Sequence, residues 1–160
     1  MTRKIYLDLD GVMADFDEAY PRLFGHDHRT TPSDQMWKNI NQHGSWFRGL
    51  KMCDGAAEFW RNLNRQDAPI SILTACPKTN YAEAAIQKRQ WVYEHLGTDV
   101  TVLPVLGGKN KVLFMHAPGD ILIDDYKINC DAWDQHGGVS IHHKNFQKTW
   151  YELWSELFKN

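Results

Sequence analysis

Two acidic segments of the chain stand where short apolar runs end. Asp8-Leu9-Asp10-Gly11 closes one run, and Asp124-Asp125 directly follows another. A short apolar run that ends in a turn signal predicts a buried strand. In an open parallel sheet, ligands bind outside the carboxyl ends of the strands. We therefore predict that these four carboxylates share one edge of a sheet.

A hydroxyl group and a lysine loop are predicted to join this edge. Thr74 closes a further apolar run, and Lys109 and Lys111 follow Gly107-Gly108 after another. Taken alone, Thr74 would be an ordinary β-branched strand residue, and each lysine a solvated surface charge. Their common position after strands, together with the acidic segments, favours a functional site.

The chemistry of this set indicates phosphoryl transfer. Up to four carboxylates in one pocket repel one another, and a divalent cation removes that conflict. Oxygen ligands in small number suit Mg²⁺, which keeps several waters and shares a substrate phosphate. A lysine and a threonine hydroxyl suit the phosphate, as a charge and as a hydrogen-bond donor. The sequence thus predicts Mg²⁺-assisted phosphoryl transfer.

The elements that must position these groups alternate between strands and helices. This order predicts an α/β fold with a doubly wound, mostly parallel sheet and helices on both faces. Strands are predicted at residues 4–9, 69–74, 100–106, 120–123 and 139–141. Helices are predicted at residues 55–64, with Asp54 as N-cap, and at residues 80–96, 126–135 and 146–158.

Residues 15–52 interrupt the alternation, because they contain no strand-like run. Thr31-Pro32-Ser33 predicts the start of a helix over residues 34–41. We predict a small helical cap at residues 15–52, inserted after the first strand and packed over one end of the sheet. Residues 1–14 and 53–160 then form the α/β core.

Four segments resemble the motifs of the haloacid dehalogenase superfamily. Asp8-Leu9-Asp10-Gly11-Val12 with Asp15 is similar to the D-x-D-G-V-x-x-D first motif, and Ile72-Leu73-Thr74 to the second. Lys111, or else Lys109, stands for the third motif, and Ile121-Leu122-Ile123-Asp124-Asp125 for the fourth. They occur in the expected order and frame nearly the whole chain.

Within that superfamily the chain most resembles the 5′(3′)-deoxyribonucleotidases. The resemblance rests on Ala14-Asp15-Phe16, on Leu73-Thr74-Ala75-Cys76-Pro77, on Trp91-Val92 before His95-Leu96-Gly97, and on Leu122-Ile123-Asp124-Asp125. It implies a hydrolase of nucleotide metabolism, a phosphomonoesterase that acts on (deoxy)nucleoside monophosphates.

The resemblance also implies the catalytic and metal-binding roles. Asp8 attacks phosphorus and becomes an aspartyl-phosphate, while Asp10 protonates the leaving hydroxyl and then activates water. Mg²⁺ is held by Asp8, the carbonyl oxygen of Asp10 and Asp125, with Asp124 close behind.

The phosphate is implied to be bound by Thr74, the Ala75 amide and Lys111. The segment Ala117-Pro118-Gly119 makes the spacing from the lysine to the acidic pair longer than the family pattern. Lys109 therefore stays open as the alternative phosphate ligand.

Aromatic side chains are dense in the predicted cap and its hinge. For any single one, packing against the sheet is the ordinary role. As a group they offer the flat apolar surface on which a nucleobase stacks. We predict that Phe16, Trp46 and Phe47 line a base pocket and that the substrate is a deoxynucleotide.

Composition indicates which partners and which cellular compartment fit the chain. A net charge of −2 disfavours a long nucleic acid as partner. Three widely spaced cysteines without a C-x-x-C pair favour a reducing compartment. No apolar run is long enough for a membrane span or a signal peptide. We predict a cytoplasmic protein, and a homo-oligomer is compatible with the sequence.

Two other functions fit part of the pattern. A different haloacid dehalogenase-like phosphatase would act on a sugar phosphate or on a nucleic-acid 3′-phosphate end. A phospho-receiver signalling module also combines acidic residues, Thr and Lys around Mg²⁺, but there the adjacent acidic pair normally comes first. Here the D-x-D segment comes first and the adjacent pair late, which favours the phosphatase.

Overall fold

The computed structural model describes residues 2–159. Its centre is a five-stranded sheet in the order β3-β2-β1-β4-β5, in which every neighbouring pair is parallel. The strands are β1 (Ile5–Leu7), β2 (Ile70–Cys76), β3 (Thr101–Leu106), β4 (Ile121–Asp124) and β5 (Val139–His142). The predicted α/β fold with a parallel sheet is confirmed.

Six α-helices of the described chain surround the sheet. They are α1 (Phe16–Phe24), α2 (Ser33–Gln42), α3 (Ala56–Leu63), α4 (Tyr81–His95), α5 (Lys127–Gln135) and α6 (Phe146–Leu157). Short 3₁₀ turns cover His28–Thr30, Lys78–Asn80 and Gly108–Phe114. No described helix is long and apolar enough to cross a membrane.

The alternation of side chains along β1 explains the layered arrangement. Ile5 and Leu7 belong to the larger buried cluster, whereas Tyr6 belongs to a second cluster with Trp133 of α5. A strand that is buried on both sides reads as a continuous apolar run, and β1 does so. The sheet therefore holds β1, and the acidic loop that follows it, at its centre.

The insertion between β1 and α3 leaves and rejoins the core at one place. Ala14 and Met52 form an isolated antiparallel bridge, and the Asp15 amide donates to the Lys51 carbonyl oxygen at 2.8 Å. Between them, α1 and α2 form a small helical layer. This arrangement is that of a cap inserted after the first strand; the boundaries 15 and 52 stay a prediction.

The C-terminal part of the insertion is fastened to α4. The buried Gln87 side chain accepts from the Phe47 amide at 3.1 Å and donates to the Gly44 carbonyl oxygen at 3.0 Å. The Trp91 indole N–H donates to the Leu50 carbonyl oxygen at 2.8 Å. A buried amide satisfied in this way fixes the backbone it binds.

The predicted N-cap of α3 was wrong. The helix begins after Gly55, which has φ +84°, and no side chain caps it. Asp54 therefore lies one residue too early for that role. The other predicted helix and strand ends lie within two residues of the observed ones, as is usual for element boundaries.

Candidate active site

Three carboxylates meet at the carboxyl ends of the two central strands. Asp8 follows β1, Asp124 ends β4, and Asp125 comes next. One oxygen atom from each lies within 4.8 Å of the others. Neighbouring parallel strands bring their ends side by side, so residues more than 100 positions apart form one acidic cluster.

Burial and mutual repulsion make this cluster unfavourable without a cation. Desolvation, followed by the charge of Asp8, raises the pKa of Asp125 to about 8. The same two causes raise the pKa of Asp124. Carboxylates that resist ionisation so strongly are typical of a divalent-cation site, because the cation favours the charged forms.

Lys111 is the cation that the described residues themselves supply to the cluster. Its Nζ lies 2.7 Å from Asp8 Oδ1 and 2.6 Å from Asp124 Oδ2, and the side chain is almost fully buried. Burial alone would lower the pKa of this lysine, but the two carboxylates outweigh burial and raise it. Lys109, by contrast, is exposed.

A glycine makes room for the acidic pair. Gly11 has φ +80°, a region that side chains rarely adopt. A Cβ atom at this position would lie 2.2 Å from Asp125 Oδ2. The D-x-D-G segment therefore needs glycine both for the turn and for the close approach of Asp125.

Asp124 is held by several donors besides Lys111. The Tyr126 amide donates to its Oδ1 at 2.9 Å, and Asn129 Nδ2 donates to its Oδ2 at 3.1 Å. His142, at the end of β5, contacts the carbonyl oxygen of Asp125 through Nε2 at 2.9 Å. These contacts fix the loop after β4, and the sequence singled out neither Asn129 nor His142 for it.

Asp10 and Thr74 meet at a lysine that sequence reasoning missed. Lys88 of α4 places its Nζ 2.5 Å from Asp10 Oδ2 and 3.0 Å from Thr74 Oγ1. It also donates to the Ala75 carbonyl oxygen at 2.6 Å. The side chain is 1% exposed. The predicted acid–base and phosphate residues thus share one buried cation.

A cavity of about 280 Å³ opens over these groups. Asp8, Asp10, Ala75, Lys111 and Asp125 form its polar end. The remaining wall consists mainly of side chains from the insertion and the start of α5, namely Phe16, Asp17, His28, Met36, Trp37, Tyr126 and Asn129. A polar end beside a wall that carries aromatic rings suits a phosphate attached to a flat organic group.

Two of the three predicted base-pocket residues lie elsewhere. Phe16 lines the cavity, but Trp46 and Phe47 are 2% and 4% exposed and belong to the core behind it. Trp46 packs against Phe16 and stacks on Phe24. The prediction that Trp46 and Phe47 line the cavity is therefore wrong. Trp37 and His28 occupy that wall instead.

The fold and site together define a class of protein. The chain has the fold of haloacid dehalogenase-like hydrolases: a candidate member from Burkholderia xenovorans LB400 superposes with a TM-score of 0.59 at 12% identity, covering 94% of this chain and 86% of that one. A haloacid dehalogenase family hydrolase from Deinococcus radiodurans R1, with bound phosphate and sodium, gives 0.53 at 13% identity over 87% and 79%.

The family follows from the sequence match. Residues 2–152 match the model of the 5′ nucleotidase, deoxy (pyrimidine), cytosolic type C protein family (NT5C). The chain therefore belongs to this family of 5′-nucleotidase hydrolases. A candidate 5′(3′)-deoxyribonucleotidase from Bordetella pertussis (strain Tohama I) is 27% identical over 143 residues, 78% of this chain and 74% of that protein.

Proposed function

We propose that the chain hydrolyses deoxynucleoside monophosphates through an aspartyl-phosphate on Asp8. The observation that carries the proposal is the cluster of Asp8, Asp125 and Lys111 at the polar end of a cavity with aromatic rings in its wall, with the buried Asp124 behind them. Membership in the 5′-nucleotidase family supports the same substrate class.

The reaction proceeds in two in-line displacements. An oxygen of the Asp8 carboxylate attacks phosphorus, the bond from phosphorus to the sugar oxygen breaks, and Asp10 gives its proton to that oxygen. Asp10 then takes a proton from water, whose oxygen attacks phosphorus and releases inorganic phosphate and free Asp8. One acid–base residue serves both steps, because Asp10 loses a proton in the first step and regains one in the second.

The acidic cluster fits Mg²⁺. Its donors are all oxygen atoms that converge within a few ångströms, and burial together with the charge of Asp8 raises the pKa of Asp125. Asp8, Asp125 and the Asp10 carbonyl oxygen would hold the ion, with Asp124 behind them. When bound, Mg²⁺ neutralises charge on the phosphate and on the attacking carboxylate.

Phosphate binding is assigned to Thr74, the Ala75 amide and Lys111. Thr74 Oγ1 already accepts a hydrogen bond from Lys88, which leaves its own proton free to donate. Lys111 is held between Asp8 and Asp124, so its charge stands beside the attacking group. Hydrogen bonds and charge in these positions stabilise the transferring phosphoryl group.

The nucleobase would lie against the insertion. Phe16 and Trp37 supply the aromatic surface, and the His28 ring packs edge-on against Phe16 with centroids 5.1 Å apart. Stacking on such rings favours a base over the polar hydroxyls of a sugar phosphate. This assignment keeps the predicted Phe16 and replaces Trp46 and Phe47.

The cysteines and the family description also bear on where the protein acts and on what it binds. We propose a cytoplasmic enzyme, in agreement with three unpaired cysteines and the cytosolic type in the family's description. Its partner is a small phosphomonoester, without a long nucleic acid.

A phosphate-release screen tests the proposal. With Mg²⁺, the purified chain is expected to cleave at least one deoxynucleoside monophosphate faster than any sugar phosphate, to stop in excess EDTA, and to recover on adding Mg²⁺. Asp8→Asn should lower the rate at least about a thousandfold, because it removes the nucleophile. Preference for sugar phosphates would overturn the substrate class, and an active Asp8→Asn variant would overturn the mechanism.

A further inference from the structure

Lys88 lies in the middle of a buried apolar face of α4, where a charged residue is unexpected. Lys88 has Ala84 and Ala85 one turn before it and Trp91 and Val92 one turn after it, and all four are buried. A buried ammonium group is costly unless charged or polar partners compensate it. The compensation here comes from the active site.

Lys88 contacts one carboxylate oxygen of Asp10 and two further acceptors of the site. Nζ lies 2.5 Å from Asp10 Oδ2, and its other two hydrogen bonds go to Thr74 Oγ1 and the Ala75 carbonyl oxygen. All three donors of an ammonium group are thereby used. The second oxygen, Asp10 Oδ1, is buried and has no hydrogen-bond partner within residues 2–159.

The insertion contributes a further neighbour of Lys88, the Phe47 ring. Its Nζ lies 4.5 Å from the centroid of the Phe47 ring, a cation–π distance. The Phe47 backbone is fixed by its amide hydrogen bond to Gln87, one residue before Lys88. The ring therefore covers the lysine from the cap side.

We propose that Lys88 is a positioning residue for Asp10, and that Phe47 holds Lys88 in place. This inference rests on the proposed acid–base role of Asp10. Lys88 binds Oδ2 and so leaves Oδ1 as the oxygen that carries the proton to the leaving group. Phe47, expected from the sequence to contact the base, acts on catalysis through the lysine.

Two substrates with different leaving groups separate positioning from folding. A nucleotide releases an alkoxide, which needs a proton from Asp10, whereas acetyl phosphate releases acetate, which does not. The value of kcat/KM reports the steps up to that release. The ratio of the two kcat/KM values on one preparation is independent of how much protein is folded.

Lys88→Met is expected to lower kcat/KM for a deoxynucleoside monophosphate about a hundredfold, because general acid catalysis contributes a factor of about 10²–10⁴ to the rate. For acetyl phosphate, kcat/KM should fall less than about tenfold. Lys78→Met, an exposed lysine after β2, is the matched control and should leave the ratio unchanged. An unchanged ratio in Lys88→Met would overturn the inference. An unchanged ratio in Asp10→Asn would instead overturn the acid–base role in the proposed function.

Phe47→Leu tests the second half of the proposal, because leucine keeps the apolar bulk but has no ring face. The expected result is a nucleotide kcat lowered about threefold with an unchanged KM. In the Lys88→Met background, Phe47→Leu should add nothing, since residues that act through one contact are not additive. A raised nucleotide KM with unchanged kcat would show a base contact and overturn the role given to Phe47.

Discussion

Lys111 and Lys109 are two residues apart, yet the structure gives them opposite environments. Lys111 is buried between two carboxylates, while Lys109 is exposed. Lys111→Met is therefore expected to lower kcat/KM for a nucleotide at least about a hundredfold, because it removes the buried ammonium group that lies 2.7 Å from Asp8. Steady-state kinetics on both variants provide the measurement.

The exposed lysine serves as the control. Lys109→Met should stay within about twofold of the unchanged chain, and thermal unfolding of both variants shows whether each is folded. A larger loss at Lys109 would place the phosphate lysine there, and equal losses in the two folded variants would contradict the assignment to Lys111 alone.

Single residues were predictable where their type is unusual for their place in a strand pattern. Asp8, Asp10 and Asp124 follow apolar runs, and in the structure they lie at the sheet edge where those runs end. Lys88 was not predicted to belong to the site, because a lysine in a helix is ordinarily a surface residue. The available signal was its position between apolar residues three and four places away on both sides, which puts it on the buried face.

At the scale of elements, the part of the cavity wall that α2 forms is predicted to contribute to nucleotide binding. Trp37→Ala is expected to raise the nucleotide KM about tenfold, since stacking contributes about 1–3 kcal/mol per base. Hydrolysis of acetyl phosphate, which has no ring to stack, should change less than about twofold. The two substrates are compared on the same preparation.

Trp46→Phe is the contrasting variant, because Trp46 is buried behind the wall and its indole nitrogen has no partner within the described chain. It should leave the nucleotide KM unchanged. If Trp46→Phe raises KM as much as Trp37→Ala does, the base lies deeper in the cap than the cavity indicates.

The elements of the core were easier to predict than those of the insertion. Strand runs and turn signals located β1 to β5 within one or two residues, whereas α1 was not predicted. Its start was visible in Asp15 and Glu18, which have the spacing of a capping box, and Asp15 does accept from the Glu18 amide at 3.0 Å. Which aromatic ring faces the cavity depends on tertiary packing, and no local pattern encodes it.

For the molecule as a whole, the acidic cluster predicts an unusual dependence of stability on pH. Asp125 has a pKa of about 8 in the folded chain and an ordinary one when unfolded. Between about pH 4 and pH 8 the folded state therefore holds a proton that the unfolded state has released. Without metal, the free energy of unfolding should fall as pH rises through this window.

Thermal unfolding in EDTA at pH 6 and pH 8 measures the effect. The midpoint should be lower at pH 8, and Asp125→Asn should remove most of the difference. Adding Mg²⁺ should raise the midpoint more at pH 8 than at pH 6, because the ion binds the ionised carboxylates. A midpoint that rises with pH in the unchanged, metal-free chain would contradict this electrostatic description.

The central position of β1 also determines when during synthesis an active enzyme can exist. β1 is synthesised well before its neighbours β2 and β4, and Asp8 meets Lys111 across 103 residues. Long-range pairing of this kind forms slowly compared with local helices. Until β4 emerges, one side of this apolar strand lacks its partner, and such an edge is the kind of segment that aggregates or recruits chaperones. A nascent chain that has not yet reached β4 therefore lacks Asp124 and Asp125, and the acidic cluster can form only after the sheet has closed around β1.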